Sequence, residues 1–312
     1  MIKHFTPSWF SITMGTGIVS ILIHNLPYQF HGQQILSQAI FYLNVVLYVC
    51  FSIITIARYV VYPNIFFLMM THPGQISYFF FVHQVHKLQD MNATWLLPIV
   101  PNVVTAASGG LLAPHLSYNH GLAILIISYM LMGAGMLVSL SIMIIYFCRL
   151  ALFKLPPKEV IISSLLPLGP LGQSAYGLLQ MGVAFNKIAS GNDKLPAGLG
   201  TTALNIGIVS SLMLWGCGMW YLVIAILSIT TTIVTQKGIP FNMGWWGLTF
   251  PIGVYAAATL SIATVLDLQV FAIIGTVISC CLFLIWISVS IRTVMQATTG
   301  KLLYAPCLAS LD

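Results

Sequence analysis

Long apolar runs, each about as long as a bilayer is thick, dominate the chain. Eight stretches carry no Lys, Arg, Asp or Glu: 9–26, 35–57, 94–112, 121–148, 161–186, 203–234, 240–265 and 269–291. A helix that crosses the hydrocarbon core needs about 20 mostly apolar residues. Each run therefore predicts one spanning helix, and 203–234 overruns the bilayer. The runs lack the short alternating segments of an outer-membrane barrel. The pattern predicts an all-α polytopic membrane protein of about eight helices, a single transmembrane domain over 1–312, with no room for a soluble domain at either end. Met1 to Pro7 is too short and too polar for a secretory leader, and the first run has no small-residue cleavage site. It is read as a retained span.

Gly and Pro divide these runs into two kinds. The run 35–57 has neither, and 269–291 has only Gly275. By contrast 9–26 carries Gly15-Thr16-Gly17, and 94–112 carries Pro98, Pro101, Gly109 and Gly110. The run 161–186 contains Pro167-Leu168-Gly169-Pro170-Leu171-Gly172-Gln173, and 240–265 contains Gly244, Gly247, Pro251 and Gly253. Irregular backbone at membrane depth is tolerated where it is buried or lines a water-filled cavity. The simplest arrangement is a set of helical hairpins whose broken odd helices surround a central pore and whose plainer even helices lie outside. Close packing through small residues, with no pore, is the other arrangement these residues allow.

Composition narrows the class. Only 5% of residues are charged and 59% are hydrophobic, against about 25% charged in ordinary soluble domains. A soluble enzyme, a nucleic-acid-binding module and a disordered regulator are excluded. The net charge of +6 is explained by position. With the N-terminus in the cytoplasm, the inner segments hold Lys3, Arg58, Lys87, Arg149, Lys154, Lys158, Lys237, Arg292 and Lys301, and the outer ones hold Lys187 and Lys194. Such a bias predicts both termini in the cytoplasm. Arg58, Arg149 and Arg292 end three spans on the inner side and are expected to snorkel as anchors. The sequon Asn92-Ala93-Thr94 falls on the same side, where it would stay unglycosylated.

The candidate chemistry is uncharged. No ionisable Lys, Arg, Asp or Glu enters a run, which argues against a cation channel or a carboxylate proton relay. An anion can instead be held by hydroxyls, amide N–H groups freed at Gly/Pro breaks, and positive helix ends. Thr13, Thr16, Thr105, Ser108, Gln173, Ser174 and Thr249 are placed for this, with Gly15, Gly17 and Gly172 beside them. Five of the six cysteines lie in or at the ends of apolar runs and no CxxC pair exists, so they are read as packing residues. His83 and His86 have helical i,i+3 spacing, with His72 nearby. A membrane di-iron enzyme would need further histidines and usually carboxylates at such spacing. No metal and no cofactor is expected.

Several segments carry a resemblance. His4-Phe5-Thr6-Pro7-Ser8-Trp9-Phe10 leads into Met14-Gly15-Thr16-Gly17-Ile18-Val19 and closes with His24-Asn25-Leu26-Pro27-Tyr28. Thr94-Trp95-Leu96-Leu97-Pro98-Ile99-Val100 runs on to Ala106-Ala107-Ser108-Gly109-Gly110. Leu166-Pro167-Leu168-Gly169-Pro170-Leu171-Gly172-Gln173 and Phe241-Asn242-Met243-Gly244-Trp245-Trp246-Gly247-Leu248-Thr249-Phe250-Pro251 follow, with Gly300-Lys301-Leu302 and Ala305-Pro306-Cys307 in the tail. Together they resemble the fungal sulfite efflux branch of the tellurite-resistance/dicarboxylate transporter family, which includes the slow anion channels of plant guard cells. The resemblance implies ten helices in five hairpins around a central pore, and assembly as a homotrimer. It also implies outward movement of sulfite or bisulfite across the plasma membrane, by a transporter and not an enzyme. Related members move malate and other dicarboxylates. A pore-plugging phenylalanine of the family corresponds here to Phe250.

The chain departs from that pattern in one region. It has eight spans, and the connection 58–93 is far longer than the others. Its apolar pieces, Ile65-Phe66-Phe67-Leu68-Met69-Met70 and Ile76-Ser77-Tyr78-Phe79-Phe80-Phe81-Val82, are each too short to span. The region 58–93 is read as a cytoplasmic loop where the family's third helix and most of its fourth are missing, with the junction near Phe79 to Phe81; a re-entrant or interfacial segment over 61–93 is the other reading. Losing two spans preserves the sidedness of everything downstream. Three alternatives stay open: a dicarboxylate carrier, a truncated inactive paralogue that assembles with full-length partners, and a membrane enzyme using the His83/His86 region.

Overall fold

The structure, a computed structural model, describes residues 2–66, 87–191, 195–300 and 302. His72, His83, His86 and most of the 58–93 connection lie outside the described residues. Eight α-helices lie wholly within the described residues: α1 Phe10–His24, α2 Gln33–Val61, α3 Val100–Leu112, α4 Tyr118–Leu152, α5 Leu168–Ser190, α6 Leu199–Gln236, α7 Thr249–Leu266 and α8 Gln269–Thr298; residues 63–66 are helical as well. No strand occurs among the described residues. The protein is an all-α polytopic membrane protein.

Odd and even helices differ in length and burial. The even helices have 29, 35, 38 and 30 residues, about 44–57 Å at 1.5 Å per residue, longer than the hydrocarbon core. The odd helices have 15, 13, 23 and 18. Among the described residues five stretches are long and apolar enough to cross a membrane: α2, α4, α6, α8 and Met243–Leu266. The most apolar window of α2 is 11% buried within the protein, and that of Met243–Leu266 is 78% buried. α2 therefore belongs to the outer layer and α7 to the inner one.

The prolines of α3, α5 and α7 fall at the start of each helix, whereas Gly15 and Gly17 lie mid-helix in α1 and Gly109 and Gly110 near the end of α3. Each inner helix is led in by a 3₁₀ turn: Pro7–Trp9 before α1, Ala93–Leu96 before α3, Ile161–Leu165 before α5 and Met243–Leu248 before α7. Pro101, Pro170 and Pro251 then sit in the first turn of α3, α5 and α7. Proline costs little there, because first-turn N–H groups have no intrahelical partner. These prolines start the helices instead of breaking them, which corrects the expectation of interrupted spans. Asn92 and Asn242 cap two of the lead-in turns by accepting from the N–H of Thr94 (3.0 Å) and Gly244 (2.8 Å). The sequon asparagine therefore has a structural task.

Consecutive helices pack as hairpins, α1 with α2, α3 with α4, α5 with α6 and α7 with α8. Inside them α3 packs on α5, α5 on α7 and α7 on α1. Among the described residues α1 and α3 do not pack on each other along their lengths. The inner layer is an arc of four helices.

Three outer helices reach back to the start of their own inner partner. Arg58 of α2 donates from Nε to the Lys3 carbonyl (3.1 Å). Arg149 of α4 donates to the Gln89 carbonyl (3.3 and 3.0 Å) and to that of Lys154 (2.7 Å). The Arg292 guanidinium of α8 lies 5.9 Å over the Trp245 ring. Arg58 is 0% exposed and Arg149 5%, so neither snorkels as expected. Helix α2 and helix α4 continue past their apolar runs, and folded lead-in segments cover both guanidinium groups and supply carbonyl acceptors.

Candidate functional site

A cavity of about 1140 Å³ lies within the arc. All four inner helices line it: α1 with Thr13 and Gly17, α3 with Ala107 and Ser108, α5 with Gln173, Tyr176 and Gln180, and α7 with Phe250, Val254, Ala257, Ser261 and Thr264. The outer helix α2 joins them through Ser37, Gln38, Phe41 and Tyr42, at the side where α1 and α3 stay apart. No Asp, Glu, Lys or Arg is among these lining residues.

Helical spacing explains why these side chains share the wall. Positions 250, 254, 257, 261 and 264 repeat at intervals of three and four, one stripe of α7. Gln173, Tyr176 and Gln180 do the same on α5. The Gln180 Nε2 donates to Ser261 Oγ (2.8 Å), which shows the register of the two helices. Seven residues earlier on each, Gln173 is then level with Val254, and Phe250 lies a further turn toward the helix starts. Phe250 is half-buried and packs beside the core of Ile18, Val254 and Ala257. The packing of each lead-in turn places the starts of α1, α3 and α7 at the face that carries Arg58, Arg149 and Arg292.

Gln173 is 8% exposed and its amide has no hydrogen-bond partner among the described residues. Its amide atoms are not among the fully buried polar atoms, so they stay accessible from the cavity it lines, where water or a ligand can satisfy them. Thr13 faces the cavity but gives its proton to the Phe10 carbonyl (2.8 Å). Ser108 likewise donates to Val104 (3.0 Å).

The remaining sequence candidates sit elsewhere. Thr16 is buried, and its Oγ1 accepts from Trp286 Nε1 of α8 (3.1 Å). Thr249 is buried against Gly15 and donates to the Trp246 carbonyl (2.8 Å). Gly172 lies on the α5–α7 seam, where a methyl group would come within 2.8 Å of the Tyr255 backbone. Thr105 is exposed and away from the cavity wall. Thus Gly17, Ser108, Gln173 and Phe250 meet at the cavity, while Gly15, Thr16, Gly172 and Thr249 hold the inner helices to their neighbours. Gln180, Ser261 and Tyr176 were missed by the sequence reading. The seven-residue separation of Gln173 and Gln180, two turns of one face, was the available signal.

This arrangement, a cavity lined by no Asp, Glu, Lys or Arg within helical hairpins, defines a polytopic membrane protein with a cavity among its inner helices. The family model described as voltage-dependent anion channel (SLAC1) matches residues 4–80 and 74–294, and the chain belongs to that family. It is an anion transporter homologous to sulfite efflux pumps, and the family and its relatives are named as channels and transporters, not enzymes. The sulfite efflux pump SSU1 of Arthroderma otae is 34% identical, covering 96% of this chain and 93% of that one. An uncharacterized transporter of Methanocaldococcus jannaschii is 26% identical over 96% of this chain and 97% of its own length. The malic acid transport protein of Schizosaccharomyces pombe is 21% identical over 97% and 81%. The Arthroderma alignment spans 353 positions, more than the 312 residues present here, so that relative has a segment without a counterpart in this chain.

Proposed function

We propose that the protein exports sulfite or bisulfite through the cavity of its inner helices, with Phe250 closing the inner end of the path. The observation that carries this reading is the cavity wall. It offers the unpartnered Gln173 amide and no acidic side chain, which suits an anion held by neutral donors. The 34% identity to a sulfite efflux pump over nearly the whole chain supports the choice of anion. The charge bias supports an orientation with both termini in the cytoplasm, and the likeness to sulfite efflux pumps suits the plasma membrane. The exposed apolar faces of the outer helices are where lipid, or copies in a homotrimer, would lie.

Among the described residues α1 and α3 do not pack on each other, which fits a chain that lacks one hairpin of the family's five. The two-part family match, meeting at 74–80, supports a junction there. Sulfite flux into liposomes containing the purified protein tests the whole reading. The wild type is expected to conduct, and Phe250→Ala to raise flux several-fold. No flux from either variant sinks the proposal and favours an inactive paralogue. The malic acid relative motivates a second reading, a dicarboxylate carrier, and malate outcompeting sulfite in the same assay would select it.

A further inference from the structure

We propose that Gln180 and Ser261 form a second anion-coordinating level, so that the path holds two small oxyanions in single file. The anion's identity rests on the transport reading above; the second level rests on geometry. Both side chains line the cavity. The bond from Gln180 Nε2 to Ser261 Oγ, 2.8 Å long, uses one of the two amide N–H groups. A second N–H remains. Ser261 accepts in that bond, is 8% exposed, and donates to no protein acceptor among the described residues, which leaves its O–H for a ligand. Two donors from different helices therefore converge on the cavity.

The first level is the Gln173 amide, on the cavity wall and without a protein partner among the described residues. Seven helical residues separate Gln173 from Gln180, a rise of about 10 Å. One sulfite spans less than this rise and cannot reach both levels. Each level therefore serves its own ion. Two weak neutral sites in file suit conduction, because each ion must leave as readily as it enters.

A plain helix–helix hydrogen bond is the competing reading of the Gln180–Ser261 pair. Sulfite titration of the detergent-purified protein, read as thermal protection, separates the two. The wild type should respond in two steps, Gln180→Leu and Ser261→Ala in one, and Ser261→Thr in two again. In liposomes Gln180→Leu should raise the sulfite concentration for half-maximal flux about five- to tenfold, the effect of one lost hydrogen bond. A two-step response that survives Gln180→Leu overturns the proposal. So do variants that only lower the ligand-free unfolding temperature. Wild-type flux with one-step binding overturns this inference and leaves the transport reading standing. Two-step binding with no flux does the reverse.

Discussion

Helices α5 and α6 form one hairpin yet obey different rules. On α5, residues Leu168 to Ala175 are all buried, and Gly172 lets the Tyr255 backbone approach closely. On α6, the longest helix, the buried positions form a narrow stripe, and Gly216 has nothing within 4 Å of where its side chain would be. The inner helix is shaped by its neighbours on every side. The outer helix is shaped mainly by the need to be apolar and long. Polar side chains are confined accordingly: Gln173 and Gln180 face a cavity on α5, while hydroxyls of α6 such as Ser228 and Thr232 bond back to their own helix.

The contrast is sharpest at glycine. Gly172→Val should cost about 3 kcal/mol or more, because the new side chain meets backbone that cannot rotate away. The expected sign is loss of the folded fraction in fluorescence size-exclusion chromatography. Gly216→Ala, facing open space, should be neutral or stabilise by up to about 1 kcal/mol. Equal effects at the two sites would break the inner/outer distinction.

Arg149→Met comes next. It leaves the Gln89 and Lys154 carbonyls without their donor, at about 1–3 kcal/mol for a buried polar group left unpaired. Thermal unfolding in detergent should drop clearly, whereas Arg292→Met, an exposed cation–π pair, should move it by about 1 kcal/mol or less. A similar small shift in both would return Arg149 to the role of a snorkelling anchor. The smallest effect is expected from Trp286→Phe, which removes the bond to Thr16, about 1 kcal/mol. Sulfite flux should be unchanged, because Thr16 is away from the cavity. Altered sulfite affinity in that variant would put Thr16 back on the path.

Much of the architecture was legible. Long charge-free runs must become helices, since a lipid-exposed backbone has to satisfy itself, and the Gly/Pro contrast separated 161–186 and 240–265 from their plainer partners. Helix ends were less legible. Apolarity stops at the membrane surface, but hydrogen bonding does not, so α2 runs to Val61 and α8 to Thr298. Thr16 and Thr105 looked like Ser108 in sequence. A hydroxyl in an apolar run does not reveal whether its face meets α8, the outside or the cavity.

By itself, the sequence determined the class of protein and the two kinds of helix, because desolvation of the backbone and the charge bias are local in origin; Phe250 as a candidate gate came only with the resemblance to the family. Only the tertiary structure decided which polar groups share a wall. Gln180 and Ser261 are 81 residues apart, and nothing short-range brings them to one level. Their meeting depends on the register between α5 and α7, which is set where Gly172 lets one backbone close on another.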